Sequence, residues 1–225
     1  MVDQLHQGLT QAVAEPDARV VVLDHTGGTF CAGADLRETA GRDPGDVALD
    51  RAREAARLLR RILELPIPVI AAVDGHVRAG GLGLVGACDL AVAGPTSTFA
   101  LTEARIGVAP SIISLTLLPK MTPRAAGRYF VTGEKFGAQQ AAEIGLVTVA
   151  AEDVDATVAE LAAAIGKGSP QGLAASKALT TSRILDEFDR HAEELTKQSA
   201  ELFVSEEARE GMMAFLEKRP PRWAG

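Results

Sequence analysis

GLGLVG, residues 81–86, sets Gly81, Gly83 and Gly86 at the spacing of a loop that cradles a dinucleotide pyrophosphate. An apolar run, IAAV at 70–73, precedes it, and Glu103 lies seventeen residues beyond Gly86, near where a ribose-binding acid is expected. What these glycines do decides the fold. In a dinucleotide-binding domain the first glycine stands where the strand ends, so that the helix dipole meets phosphate directly above the sheet. Here VDGHVRA, 73–79, separates strand from motif, and few strands are legible where that domain wants about six. An NAD-binding oxidoreductase is therefore kept only as an alternative. The same physics has a second use: a glycine at a helix start lets a substrate oxygen approach bare backbone N–H groups and so stabilises an oxyanion.

Working outward, residues 4–14 have the spacing of a short helix, and RVVVLDH, 19–25, reads as a buried strand. A helix follows at about 47–64, in which Arg53, Arg57, Arg60 and Arg61 recur at helical spacing, as a solvated face or as a patch for an anionic ligand. IPVIAAVDG, DLAVAG and STFALTE read as extended segments around the glycine-rich helix start at 79–88, a βαβ-like alternation that indicates a mainly parallel sheet. After Gly107 the pattern is almost wholly helical, at 111–119, 122–132, 138–144, 153–165, 170–182, 185–204 and 206–218, with one strand expected at 146–150. The expected boundary is at GKGSP, giving an α/β core over 1–168 and a helical region over 169–225.

The chain has 225 residues and a net charge of −7, an acidic balance that argues against nucleic acid or an anionic membrane as partner. Its two cysteines, Cys31 and Cys88, are too few for a disulfide framework and lack zinc-site spacing, so both read as reduced and buried. His6, His25, His76 and His191 are scattered without ligand spacing, and no metal is implied. The start, MVDQLHQGLTQAV, has no leader pattern and no window reaches about 18 uninterrupted apolar residues, so a cytoplasmic location is expected.

An oxyanion hole needs two donors. The second small-residue loop is FCAGADL, 30–36, a strand followed by Ala32, Gly33 and Ala34. FCAGADL together with HVRAGGLGLVGACDLAVA, 76–93, resembles the two oxyanion segments of the enoyl-CoA hydratase/isomerase family, the crotonase superfamily. TFALTEARIGVAP, 98–110, is similar to the family segment that carries a catalytic glutamate, which falls on Glu103; TGEKFGAQQAAEIGLVTVA, 132–150, and EAREGMMAFLEKRPPRW, 207–223, match further stretches. The resemblance implies a crotonase-like spiral of ββα units with a helical C-terminal region, and a soluble acyl-CoA enzyme of fatty acid metabolism. By position, the N–H groups of Ala34 and Gly80 would hold the thioester oxygen and Glu103 would move the proton. Ala32, Leu36, Gly81, Pro110, Phe215 and Lys218 would contact substrate, with Arg37 and Arg53 as further cations for the coenzyme A phosphates. Coenzyme A would be part of the substrate, with no cofactor besides. A homotrimer or a dimer of trimers is also implied.

Three departures qualify this. Where the two-glutamate hydratases place their second carboxylate, this chain has Gly83, which leans the chemistry toward double-bond isomerisation and leaves hydration of a 2-enoyl-CoA open. Asp35 and Asp89 resemble structural aspartates and do not replace it. Where relatives read P-G-x-G-G, this chain reads Pro110, Ser111, Ile112, Ile113, Ser114, so acyl preference does not carry over. The match begins near residue 4, at the family's first helix, so the usual preceding strands are expected to be missing and a sheet edge exposed. A non-catalytic acyl-CoA binder that has lost one carboxylate is the alternative of another class.

Overall fold

A computed structural model describes residues 1–33 and 43–225. Helix α1, Val2–Ala14, leads into β1, Val21–Leu23, and β2, Thr29–Cys31. Helix α2, Pro44–Glu64, starts cleanly because Pro44 suits the first helical position and the Asp43 carboxylate accepts the N–H groups of Gly45 and Asp46. Its inner face, Ala52, Ala56, Leu59, Ile62 and Leu63, is buried.

Strands β3, Val69–Val73, and β5, Leu90–Ala93, are uninterrupted apolar runs, the signature of parallel strands covered on both faces. The alternation is visible in what they touch. Val69, Ala71 and Val73 join the main core, while Ile70, Ala72 and Val92 face the other way against Val158 of helix α7, Val154–Ile165. Strand β8, Val149–Ala150, completes the parallel sheet in the order β1-β3-β5-β8.

A second sheet, ordered β2-β4-β6-β7, is built from β4, His76–Arg78, β6, Thr98–Ala100, and β7, Phe136–Gly137, with β7 antiparallel. Each pass of the chain therefore lays one strand in each sheet, a spiral. Strand β4 occupies the stretch that the sequence reading treats as an insertion. That is why the phosphate-loop reading fails: helix α3, Gly80–Ala87, springs from the second sheet and not from the end of β3.

Helices α4, Ser111–Leu117, α5, Pro123–Thr132, and α6, Ala138–Glu143, lie where the periodicity predicts. The two helices expected over 170–182 and 185–204 are one, α8, Pro170–Phe203. Thr181-Ser182-Arg183-Ile184 contains no glycine or proline to break it, and the Thr181 hydroxyl donates to the Lys177 carbonyl one turn back, an ordinary helical bond. Helix α8 packs on α2 and α4 and gives Ile184 and Phe188 to the main core. A further helix, α9, Glu206–Leu216, turns back onto the turn Glu103–Ile106 that follows β6. Among the described residues no helix is long and apolar enough to cross a membrane.

Candidate active site

The ends of β2, β4 and β6 converge, as ligand sites do at the carboxyl ends of parallel strands. After β4 the backbone at Ala79 takes φ 48° and ψ −124°, a strained conformation for a residue with a side chain, and it turns the chain into α3. Gly80 is the first residue of that helix, so its N–H has no intrahelical acceptor. A Cβ on Gly80 would meet nothing within 4 Å. Gly81, Gly83 and Gly86 behave otherwise. A Cβ on Gly81 would lie 2.7 Å from Cys31 Cβ, one on Gly83 would overlap Ile113, and one on Gly86 would lie 2.9 Å from the Thr116 carbonyl oxygen. The phosphate-loop spacing is thus three close-packing contacts, and the glycine beside open space is the one just before it.

Gly33, with φ +93°, brings the first loop onto the second, since a Cβ there would stand 2.9 Å from Ala79 Cβ. Ala34 and Leu36, with Asp35 and Arg37, lie outside the described residues. Ala32 is exposed.

Glu103 opens a 3-10 turn, Glu103–Ile106, just past β6. The turn is held from behind by α9. A Cβ on Gly211 would come 2.5 Å from the Ile106 carbonyl, one on Gly107 would come 2.6 Å from the Glu207 backbone, and Ala208 and Ala214 are fully buried. Only glycine permits backbones to approach this closely. Glu103 is 8% exposed, and its buried Oε2 has no protein hydrogen-bond partner. Burial pushes its carboxyl up to about 7, so near neutral pH its protonated and ionised forms are both populated.

A cavity of about 190 Å³ joins these parts: Ala79, Gly80 and Glu103 line it, as does Pro110. Helix α2 contributes Arg51 and an alanine face, Ala48, Ala52 and Ala55, at i, i+4 and i+7. Helix α4 contributes Ser111, Ile112 and Ile113, and the end of α8 contributes Ser199 and Phe203. The Ser111 hydroxyl donates to Gln198 Oε1 at 2.8 Å and ties α4 to α8 here. The alanine spacing is legible in the sequence; the part played by Ser199 and Phe203 is not, because only the packed fold brings the end of α8 to this point. Phe215, 65% exposed, and Lys218 belong to α9 and the residues just after it and do not line the cavity.

The arginines of α2 mostly bridge to acidic neighbours. Arg53 pairs with Glu193 at 3.1 Å, and Arg60 with Glu64 at 2.7 Å and Asp189 at 2.5 Å. Asp89 is structural: it meets Lys177 at 2.7 Å and accepts the Val69 N–H. Cys31 and Cys88 are buried, and burial pushes the Cys88 thiol up to about 12. Among the described residues no three potential metal ligands cluster.

The model of the enoyl-CoA hydratase/isomerase family matches residues 1–225. A protein of Bacillus subtilis (strain 168) named "Probable enoyl-CoA hydratase" is 31% identical over 230 residues, covering 100% of this chain and 89% of its own. The carnitinyl-CoA dehydratase of Proteus mirabilis (strain HI4320) is 32% identical over 219 residues, 94% of this chain and 83% of its own. A crystal structure of an enoyl-CoA hydratase from Mycobacterium avium superposes with a TM-score of 0.93 at 67% identity, covering 99% of this chain and 86% of that one.

Proposed function

This chain belongs to the enoyl-CoA hydratase/isomerase family, and from that premise we propose that it moves a double bond in an enoyl-CoA thioester using Glu103 as its one proton carrier. The Gly80 N–H supplies a donor to the thioester oxygen, and Ala34, by sequence alone, is assigned the other. The Glu103 carboxylate takes a proton from C2 of a 3-enoyl thioester, and the electron pair enters a dienolate whose oxygen those donors hold. The same carboxyl returns the proton to C4, leaving the double bond between C2 and C3 conjugated with the carbonyl. Coenzyme A enters as the carrier of the acyl group.

One observation carries the choice of reaction. Gly83, at the position of the second carboxylate in two-glutamate relatives, faces Ile113: an added Cβ would overlap Ile113 Cγ2 and stand 3.0 Å from its Cβ. The two departures of the sequence fill each other's space, which leaves no room for a second acid to hold water. Hydration is the second reading, favoured by the names of the relatives, and it would have to proceed on Glu103 alone. Assembly into trimers remains the proposal for the exposed Met213, Phe215 and Leu216 of α9.

The test offers the protein and its Glu103→Gln variant a short 3-enoyl-CoA and a short 2-enoyl-CoA while the absorbance of the conjugated thioester is followed. Conjugation gained from the 3-enoyl substrate, and lost in the variant, supports isomerisation. Conjugation lost from the 2-enoyl substrate transfers the assignment to hydration. Tight binding without turnover of either would leave an acyl-CoA binder.

A further inference from the structure

The cavity has a soft end and a hard one. Ile112 and Ile113 are each 6% exposed, and Ile113 packs so closely on Gly83 that even a Cβ there would overlap it, so that wall has no space to retreat into on the Gly83 side. Phe203 is only half-buried and is the last residue of α8, where Val204 and Ser205 turn the chain into α9. Across from both, α2 offers Ala48, Ala52 and Ala55, side chains too short to fill the space they face. A volume of about 190 Å³ holds roughly six units the size of a water molecule. Among the described residues the lining is apolar apart from Glu103, Ser111, Ser199, Arg51 and the backbone at Gly80.

Resting on the functional reading above, the geometry points to a short-chain acyl-CoA specificity whose upper limit is set by Phe203. With the carbonyl oxygen at the Gly80 N–H and the reacting carbons beside Glu103, an acyl group of roughly four to six carbons fills the cavity. A longer tail must displace Phe203 from the end of α8 or press on Ile113, which has no space behind it at Gly83. Phe203 is thus a specificity residue, and the α2 alanines are what leave room for any acyl chain.

The test uses saturated thioesters, which bind without turning over: butyryl-, hexanoyl-, octanoyl- and decanoyl-CoA, with free coenzyme A as reference, each titrated by calorimetry. Affinity should rise from butyryl to hexanoyl, as each buried methylene adds its share, then fall at least about tenfold by decanoyl. Phe203→Ala should restore decanoyl to within about threefold of hexanoyl, and Ala52→Leu should weaken hexanoyl while sparing butyryl. Decanoyl binding to the wild type as tightly as hexanoyl overturns the assignment, and so does a fall at decanoyl that Phe203→Ala and Ala52→Leu both leave unmoved. A wild-type series that does not fall by decanoyl overturns the assignment even if a variant fails to fold, and Phe203→Leu stands in for Phe203→Ala if the alanine variant does not fold. Failure of every acyl-CoA to bind would overturn the functional reading itself, an outcome distinct from a flat chain-length profile.

Discussion

Among the described residues two side chains of the Lys, Arg, Asp and Glu types, Lys177 and Glu103, are buried, and their surroundings differ in kind. Lys177, 4% exposed, is answered on every side: Asp89 at 2.7 Å, the Ile62 carbonyl at 2.8 Å and the Ile67 carbonyl at 3.1 Å. Burial lowers its ammonium group, and the Asp89 carboxylate pulls it back up. Glu103, 8% exposed, has an oxygen with no partner and a carboxyl pushed up to about 7. Burying a charge is costly at both positions. The lysine meets that cost with partners and fastens α8 to the loop between α2 and β3. The glutamate keeps it, faces a cavity, and is left free to change protonation.

The sharpest test of this contrast is Glu103→Gln, which should cut turnover by about 10²–10⁴-fold while the folded state survives. Steady-state kinetics beside a thermal melt would read both, and a melt that collapses would make Glu103 structural after all. Lys177→Met should do the reverse. It leaves the half-buried Asp89 carboxylate without its cation and, among the described residues, with only the Val69 N–H to answer it, for a stability loss of about 3 kcal/mol by denaturant titration, whereas folded protein keeps its turnover per site.

pH separates the pair further. Because the Glu103 carboxyl is raised in the folded state, from 4.5 to about 7, its contribution is fully present below pH 4.5 and is lost as pH rises through about 7. Wild type should therefore fall behind Glu103→Gln by roughly 3 kcal/mol at pH well above 7, with the gap closing below pH 4.5. Reaction by the carboxylate should rise through the same window. The smallest effect is expected at Gly211→Ala, whose methyl must push α9 off the turn that carries Glu103, at about 1–3 kcal/mol. Paired kinetics should show kcat dropping with it, since the turn behind the carboxylate loosens.

Local signals carried much of the fold. The unbroken apolar runs of β3 and β5, the Pro44 and Asp43 start of α2, and the helical periods after Gly107 are each legible within a few residues. Strand β4 is not, because three residues of alternating burial look like a connector until β2 and β6 lie beside them. Family resemblance singles out Glu103 in the sequence, but the unpartnered oxygen and the raised carboxyl are properties of packing. The fit of Ile113 into the space beside Gly83 joins positions thirty residues apart, and neither residue announces the other. Phe203 reads only as part of an apolar helical face until the end of α8 is seen beside α4.

The spiral carries a mechanical consequence. Each coil of the chain rests on the coil before it, so the molecule is held together rung by rung, as a short stack is, and the outer rungs open first. Val22 on the outermost strand is already 41% exposed, whereas β3 is sealed along its whole length. Gly80 follows β4 and Glu103 follows β6, the two inner strands of their sheet. Gly80 and Glu103 thus follow the rungs whose amide protons should exchange last, whereas β2, the strand that precedes Ala34 in sequence, stands at the edge of that sheet and should open earlier.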